Sequence, residues 1–205
     1  MIAPMNYTSL GYDYLSKVDD SPTYHSGVDL NFNSGNDDLG DECWACADGQ
    51  IVFSKDTGKG WGNLIVIYHP EQQIWSRYGH LDKRLVVEGQ MAREGSVIGQ
   101  VGKTGGDWTA HLHFDLITAK IPMWTSYTKG MNKTEVMQFY ANPLEYIEKC
   151  NKGNEYKKEA KEAEEWHVQH ELVTFFKDLN EAPTRGEWYI VNQRFAKKIL
   201  EWSKQ

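Results

Sequence analysis

Apolar and polar residues alternate in short bursts along the chain up to residue 118. The runs Val28–Phe32, Gln50–Ser54, Asn63–Tyr68, Ile74–Tyr78, Val97–Val101 and Leu112–Ile117 are each about strand length and rich in Val, Ile, Tyr and Phe. Glycine separates them, at Asp48-Gly49, Gly58-Lys59-Gly60-Trp61-Gly62, Glu88-Gly89, Glu94-Gly95 and Gly105-Gly106-Asp107. This spacing predicts a mainly β fold, an antiparallel sandwich or roll. Residues 118–149 are mixed, and Thr134–Gln138 predicts a capped helical turn.

After Cys150 the period changes. Asn151-Lys152-Gly153-Asn154 has the composition of a linker, and residues 155–180 lack Gly and Pro. Within them Trp166, Leu172, Val173, Phe176 and Leu179 recur at helical spacing. Ala182-Pro183 interrupts the pattern and residues 186–203 resume it, which predicts a C-terminal α-helical hairpin. The expected division is an N-terminal extension (1–21), a β domain (22–149) and a helical appendage (150–205).

Composition narrows the function. The 205 residues carry a net charge of −7, and all the excess acid lies before residue 151, with 12 Lys/Arg against 19 Asp/Glu; residues 151–205 have 10 of each. A protein that grips phosphate backbones clusters basic residues instead, so nucleic acid is not an expected partner. No run approaches the roughly 18 apolar residues of a membrane span. The first residues, MIAPMNYTSLGYDYL, lack the basic and apolar regions of a secretory signal. Three cysteines do not make a disulfide framework. Cys43-Trp44-Ala45-Cys46 has CxxC spacing, but no second CxxC accompanies it, and the pair is expected to be small buried residues entering a strand. The oligomeric state is not legible.

The histidines carry the chemistry. His111-Leu112-His113 lies in a predicted strand, so both imidazoles emerge on one face while Leu112 and Phe114 point into a core. Such a pair suits a metal ligand beside a catalytic base. His25-Ser26-Gly27-Val28-Asp29 places an imidazole and a carboxylate four residues apart around a glycine. His25, Asp29 and one member of the HxH pair would form a His₂Asp set, which leaves zinc one position for water. His80 ends the run Arg77-Tyr78-Gly79-His80-Leu81. His69, at a strand end, is expected to be structural. His167 and His170 are expected on a solvated helix face. Trp61, Trp75, Tyr78 and Trp108 are candidates for the walls of a cleft, with about half of them expected in the core instead.

Taken in order, these patterns resemble the lysostaphin/LytM-type zinc endopeptidases of bacterial peptidoglycan. The resemblance rests on His25–Asp29, Asp48-Gly49-Gln50-Ile51-Val52, Gly58–Gly62, Leu64–His69, Tyr78-Gly79-His80-Leu81, Gly95–Gly105 and His111-Leu112-His113-Phe114, over residues 22–118. It implies His25, Asp29 and His113 as ligands of one Zn²⁺ per chain, His111 as general base and His80 as second catalytic histidine. It implies a peptidoglycan peptide as substrate and action at the cell wall, outside the cell. An idle wall-binding or regulatory module is the alternative. Asp115 stands where the family often has Glu. A compact lysin with an appendage is compatible with a phage-type endolysin and with a host enzyme lacking its leader. Residues 1–20 are also a candidate plug of the cleft, with Asn6 or Asp13 over the metal.

Overall fold

The structure is a computed structural model, and it describes residues 1–18, 22–119, 131–155, 158, 161 and 162. Two compact units divide the chain, Met1–Lys152 and Gly153–Gln205. The first is built almost wholly from antiparallel strands. They are β1 (Ser9–Leu10), β2 (Val28–Asn31), β3 (Glu42–Trp44), β4 (Gly49–Asp56), β5 (Asn63–His69), β6 (Ile74–Leu81), β7 (Lys83–Arg84), β8 (Met91–Ala92), β9 (Val97–Gln100), β10 (Leu112–Ile117) and β11 (Tyr140–Ala141). All six strands expected from the hydrophobic runs are present. The short ones, β1, β3, β7, β8 and β11, have too few residues to show a period and were not expected.

The large sheet has the order β1-β2-β10-β6-β5-β4-β8, with β11 also on β10, and a small sheet has the order β3-β9-β7. Alternation along β10 sends Leu112, Phe114 and Leu116 to one face. There they join Leu30, Ile65, Ile67 and Tyr78 from the large sheet and Cys43 and Ile98 from the small one in the main core. Cys43 and Cys46 are free thiols, both buried, as expected. The opposite face of the large sheet carries His113 and Asp115.

The N-terminal residues belong to this unit. Met1 and Met5 are buried in the main core, and β1 pairs with β2 in the register Ser9↔Asn31 and Leu10↔Leu30. The expected helical turn is α1 (Lys133–Phe139), closed by a capping box between Asn132 and Glu135. Its Val136 packs on Ile117 and Tyr140. A further helix, α2, covers residues 143–155, so helix begins before the expected boundary at 150. Residues 158, 161 and 162 are also helical; the rest of the expected hairpin, with His167 and His170, lies outside the described residues. Among the described residues no helix is long and apolar enough to cross a membrane.

Candidate metal centre and active site

Two adjacent strands and one loop build the centre. β10 pairs with β2 so that His113 stands opposite Asp29. The loop before β2 brings His25 in from the side. Gly27 makes this possible, because a Cβ there would collide with the Phe114 carbonyl and the Asp115 side chain. The N-terminal segment then holds the loop: Leu15 N donates to His25 O at 3.0 Å, His25 N to Ser16 O at 2.9 Å and Asp29 N to Tyr12 O at 2.9 Å.

Three donor atoms converge. His25 Nε2 lies 2.9 Å from His113 Nδ1 and 3.1 Å from Asp29 Oδ1. His113 Nδ1 lies 3.0 Å from the same oxygen. The outward nitrogens explain the inward ones. His25 Nδ1 faces the Asp13 carbonyl at 3.3 Å, and His113 Nε2 faces Asp115 Oδ2 at 3.2 Å. A carbonyl or carboxylate oxygen can only accept, so an N–H directed outward on each ring leaves its inward nitrogen a lone pair for a metal. In that tautomer two imidazole lone pairs and a carboxylate oxygen face one another in a buried site, an arrangement that a bound cation stabilises.

The electrostatics agree. Burial, the largest influence, would raise the pKa of Asp29, but the neighbouring His113 and His25 outweigh it and hold the carboxyl well below the usual range. Burial opposes charge on His113, yet Asp115 and Asp29 raise its pKa. His25, Asp29 and His113 are the group of metal-ligating side chains that comes together among the described residues. Its nitrogen and oxygen donors suit zinc, with room for a further ligand.

Two more imidazoles face the same cavity of about 300 Å³, which is also lined by Tyr12, Trp61 and Trp108. His111, just before β10 and bridged to Gly102, sets its Nδ1 2.8 Å from the Thr109 carbonyl. Its Nε2 lies 3.9 Å from Asp29 Oδ2. His80 sets its Nδ1 3.1 Å from the Thr104 carbonyl. Both rings therefore offer Nε2 as an acceptor to whatever occupies the cavity. The rings of His80 and His111 are 4.9 Å apart. Burial, then the nearby His113 and His111, pull the His80 pKa down to about 3.

His80 reaches this face through an irregularity. Asn63 pairs with Leu81 and Ile65 with Tyr78, so Gly79 and His80 together oppose Leu64. This bulge re-aims the strand. Without it His80 would follow Tyr78 into the core. His80 adopts a φ of 62°, a left-handed conformation that costs a non-glycine residue about 1–3 kcal/mol. Its amide donates to the Trp61 carbonyl at 2.9 Å, and its carbonyl accepts from Thr104 N at 3.1 Å.

All five expected site residues are thus gathered at one cavity. Of the aromatic candidates, Trp61 and Trp108 line it, Tyr78 is in the main core, and Trp75 packs against the satellite clusters. Asp13 meets the centre through its backbone; its carboxylate bonds Tyr14 N at 2.7 Å. Asn6 lines a separate cavity with Phe32 and Trp44. Arg77, fully buried and paired with Asp115, was not singled out from the sequence. The i,i+2 step from Arg77 to Gly79, beside that from His113 to Asp115, is the signal that could have found it.

Residues 23–124 match Peptidase family M23. This segment is a domain of that family. The chain is 33% identical over 130 residues to the peptidoglycan DD-endopeptidase ShyA of Vibrio cholerae, covering 59% of this chain and 28% of that protein. It is 40% identical over 72 residues to the murein hydrolase activator NlpD of Escherichia coli, covering 35% of this chain and 18% of that protein. The match therefore spans less than a third of either relative. The antimicrobial peptidase lysostaphin from Staphylococcus simulans superposes with a TM-score of 0.53 at 26% identity, over 70% of this chain and 51% of that one. The fold is lysostaphin-like.

Proposed function

We propose that this protein is a zinc-dependent endopeptidase that hydrolyses peptide bonds of bacterial peptidoglycan at the cell wall. The reading assigns catalysis to residues 22–149, supported by β1, and leaves residues 150–205 as an appendage. The observation that carries it is the convergence of three inward donor atoms with two further imidazole acceptors around one cavity. His25, Asp29 and His113 would hold one zinc ion. When bound, zinc lowers the pKa of a water toward about 7 and polarises a scissile carbonyl.

The chain's own residues do the rest. His111 accepts a proton of the attacking water at Nε2, and Asp29 Oδ2, 3.9 Å away, stabilises the imidazolium that results. His111 then returns that proton to the leaving amine. His80 keeps its lone pair at neutral pH, because its pKa lies far lower, and it orients the attacking water by accepting from it. Trp61 and Trp108 wall the cavity and exclude bulk water from the reacting atoms.

The relationship to NlpD favours one second reading, an activator that binds the wall without cutting it. The filled donor set and the two poised acceptors support the enzyme instead. The test is mass spectrometry of soluble fragments from purified peptidoglycans of several chemotypes. Each digest is run with wild type, with a chelator and with His111→Ala. Fragments that disappear in both controls establish the peptidase, and their termini identify the bond. Stoichiometric zinc with no fragments from any chemotype overturns the peptidase reading and favours the activator.

A further inference from the structure

Beneath the three converging donors lies a second layer of buried charge. Arg77 on β6 is the register partner of Asp115 on β10. Both are fully buried, at 0% exposure. Their contact is two-pronged: Arg77 Nε donates to Asp115 Oδ1 at 2.8 Å and an Arg77 Nη to Oδ2 at 2.5 Å. That same nitrogen reaches the Tyr140 hydroxyl at 3.2 Å. The guanidinium lies over the Trp61 ring at 4.4 Å and over the Tyr140 ring at 5.2 Å. Asp115 Oδ2 also accepts from Ser26 Oγ at 2.9 Å and from His113 Nε2 at 3.2 Å. One carboxylate thus touches a donor-bearing ring and the residue next to His25.

We propose that Asp115 and Arg77 are positioning residues of the metal centre. Asp115 selects the His113 tautomer that leaves Nδ1 free, and Arg77 holds the Asp115 side chain in place. The inference rests on the zinc reading above. A neutral imidazole carries its hydrogen on one nitrogen only. On Nδ1 it would sit between Asp29 Oδ1 and His25 Nε2 and block the metal. Asp29 Oδ1 competes for that hydrogen at 3.0 Å, and Asp115, which can only accept, gives it a partner at Nε2 that leaves Nδ1 and Asp29 to the metal. A lone buried carboxylate would be costly, and the planar fork of arginine compensates it in a fixed geometry that lysine cannot reproduce. Stability alone is a poor reason for the pair, because a buried ion pair rarely outperforms apolar residues of the same volume. The aromatic rings that fix the guanidinium make sense for a part that must not move.

The test uses the full chain. Zinc affinity is measured by competition with a chromophoric chelator, for wild type, Asp115→Asn, Arg77→Lys and the double variant Arg77→Met/Asp115→Leu. Thermal unfolding of the zinc-free proteins is recorded alongside. Asp115→Asn and the double variant are expected to bind zinc about 10–100-fold more weakly, with a smaller loss for Arg77→Lys. The double variant removes both charges, so it separates positioning from the cost of an unpaired ion. A folded double variant with wild-type zinc affinity overturns the proposal. Nitrogen-15 NMR of the His113 ring in the wild type needs no variant: a slowly exchanging Nε2–H is expected, and the Nδ1–H tautomer overturns the proposal. Wild type that binds no zinc overturns the proposed function itself. Tight wild-type binding with unweakened variants overturns this inference alone.

Discussion

Two buried polar networks occupy opposite faces of the same sheet, and each contains a histidine. On the site face, His113 stands among Asp29, His25, Asp115 and Arg77. On the core face, His69 donates from Nδ1 to the Asp48 carbonyl at 2.9 Å. Its Nε2 lies 2.7 Å from the Ser76 hydroxyl, which is 2.9 Å from the Tyr78 hydroxyl. Tyr78 in turn accepts from Cys46 N at 3.0 Å. Burial pushes the Cys46 thiol up to about 11, so it stays neutral. The core network is a closed chain of neutral donors and acceptors. The site network leaves lone pairs and carboxylate oxygens facing one another. Burial alone therefore does not make a histidine a ligand. Convergence on a shared point, with carboxylates near, does.

The largest break in this contrast is expected from Asp29→Ala or His113→Ala. Each should reduce bound zinc to background in metal analysis and abolish peptidoglycan cleavage, while His69→Gln keeps its zinc. Next, His111→Ala should lower kcat by about 10²–10⁴-fold with zinc retained, as read from digestion rates and metal content. Arg77→Met alone strands the Asp115 carboxylate and should cost about 3–5 kcal/mol in denaturant unfolding.

On the other face the effects should be confined to stability. Tyr78→Phe leaves the Cys46 amide without its acceptor and should cost about 1–3 kcal/mol, with zinc affinity unchanged. The smallest effect concerns pH. Burial, the largest influence, holds the His69 pKa below its ordinary 6.5. Below pH 6.5 the unfolded chain binds a proton that the folded chain refuses. Stability from this group is therefore complete above pH 6.5 and declines as pH falls toward the folded pKa. Zinc-free His69→Gln should show a shallower acid decline than zinc-free wild type in thermal unfolding from pH 7 to 5. An identical decline would mean that His69 is not held neutral.

Much of this was determined locally, and so was legible. Strand period set β2, β4, β5, β6, β9 and β10, because alternation with one face buried leaves a mark on every second residue. The HLHFD step placed His111, His113 and Asp115 on one face for the same reason. His25 and Asp29 were legible through their spacing around Gly27, which has no side chain to collide with β10. Other features depend on residues distant in the chain. The Gly79–His80 bulge is set by pairing with Leu64, the Trp61 carbonyl and Thr104, and alternation by itself would send His80 into the core. The roles of Asp13 and Thr109 are played by backbone carbonyls, which any residue supplies. Arg77 reads as an ordinary strand arginine until Asp115, Trp61 and Tyr140 surround it. Sequence by itself determined which side chains could share a face. Tertiary structure decided which nitrogen of each ring looks inward, because that choice belongs to the acceptor across the sheet or loop.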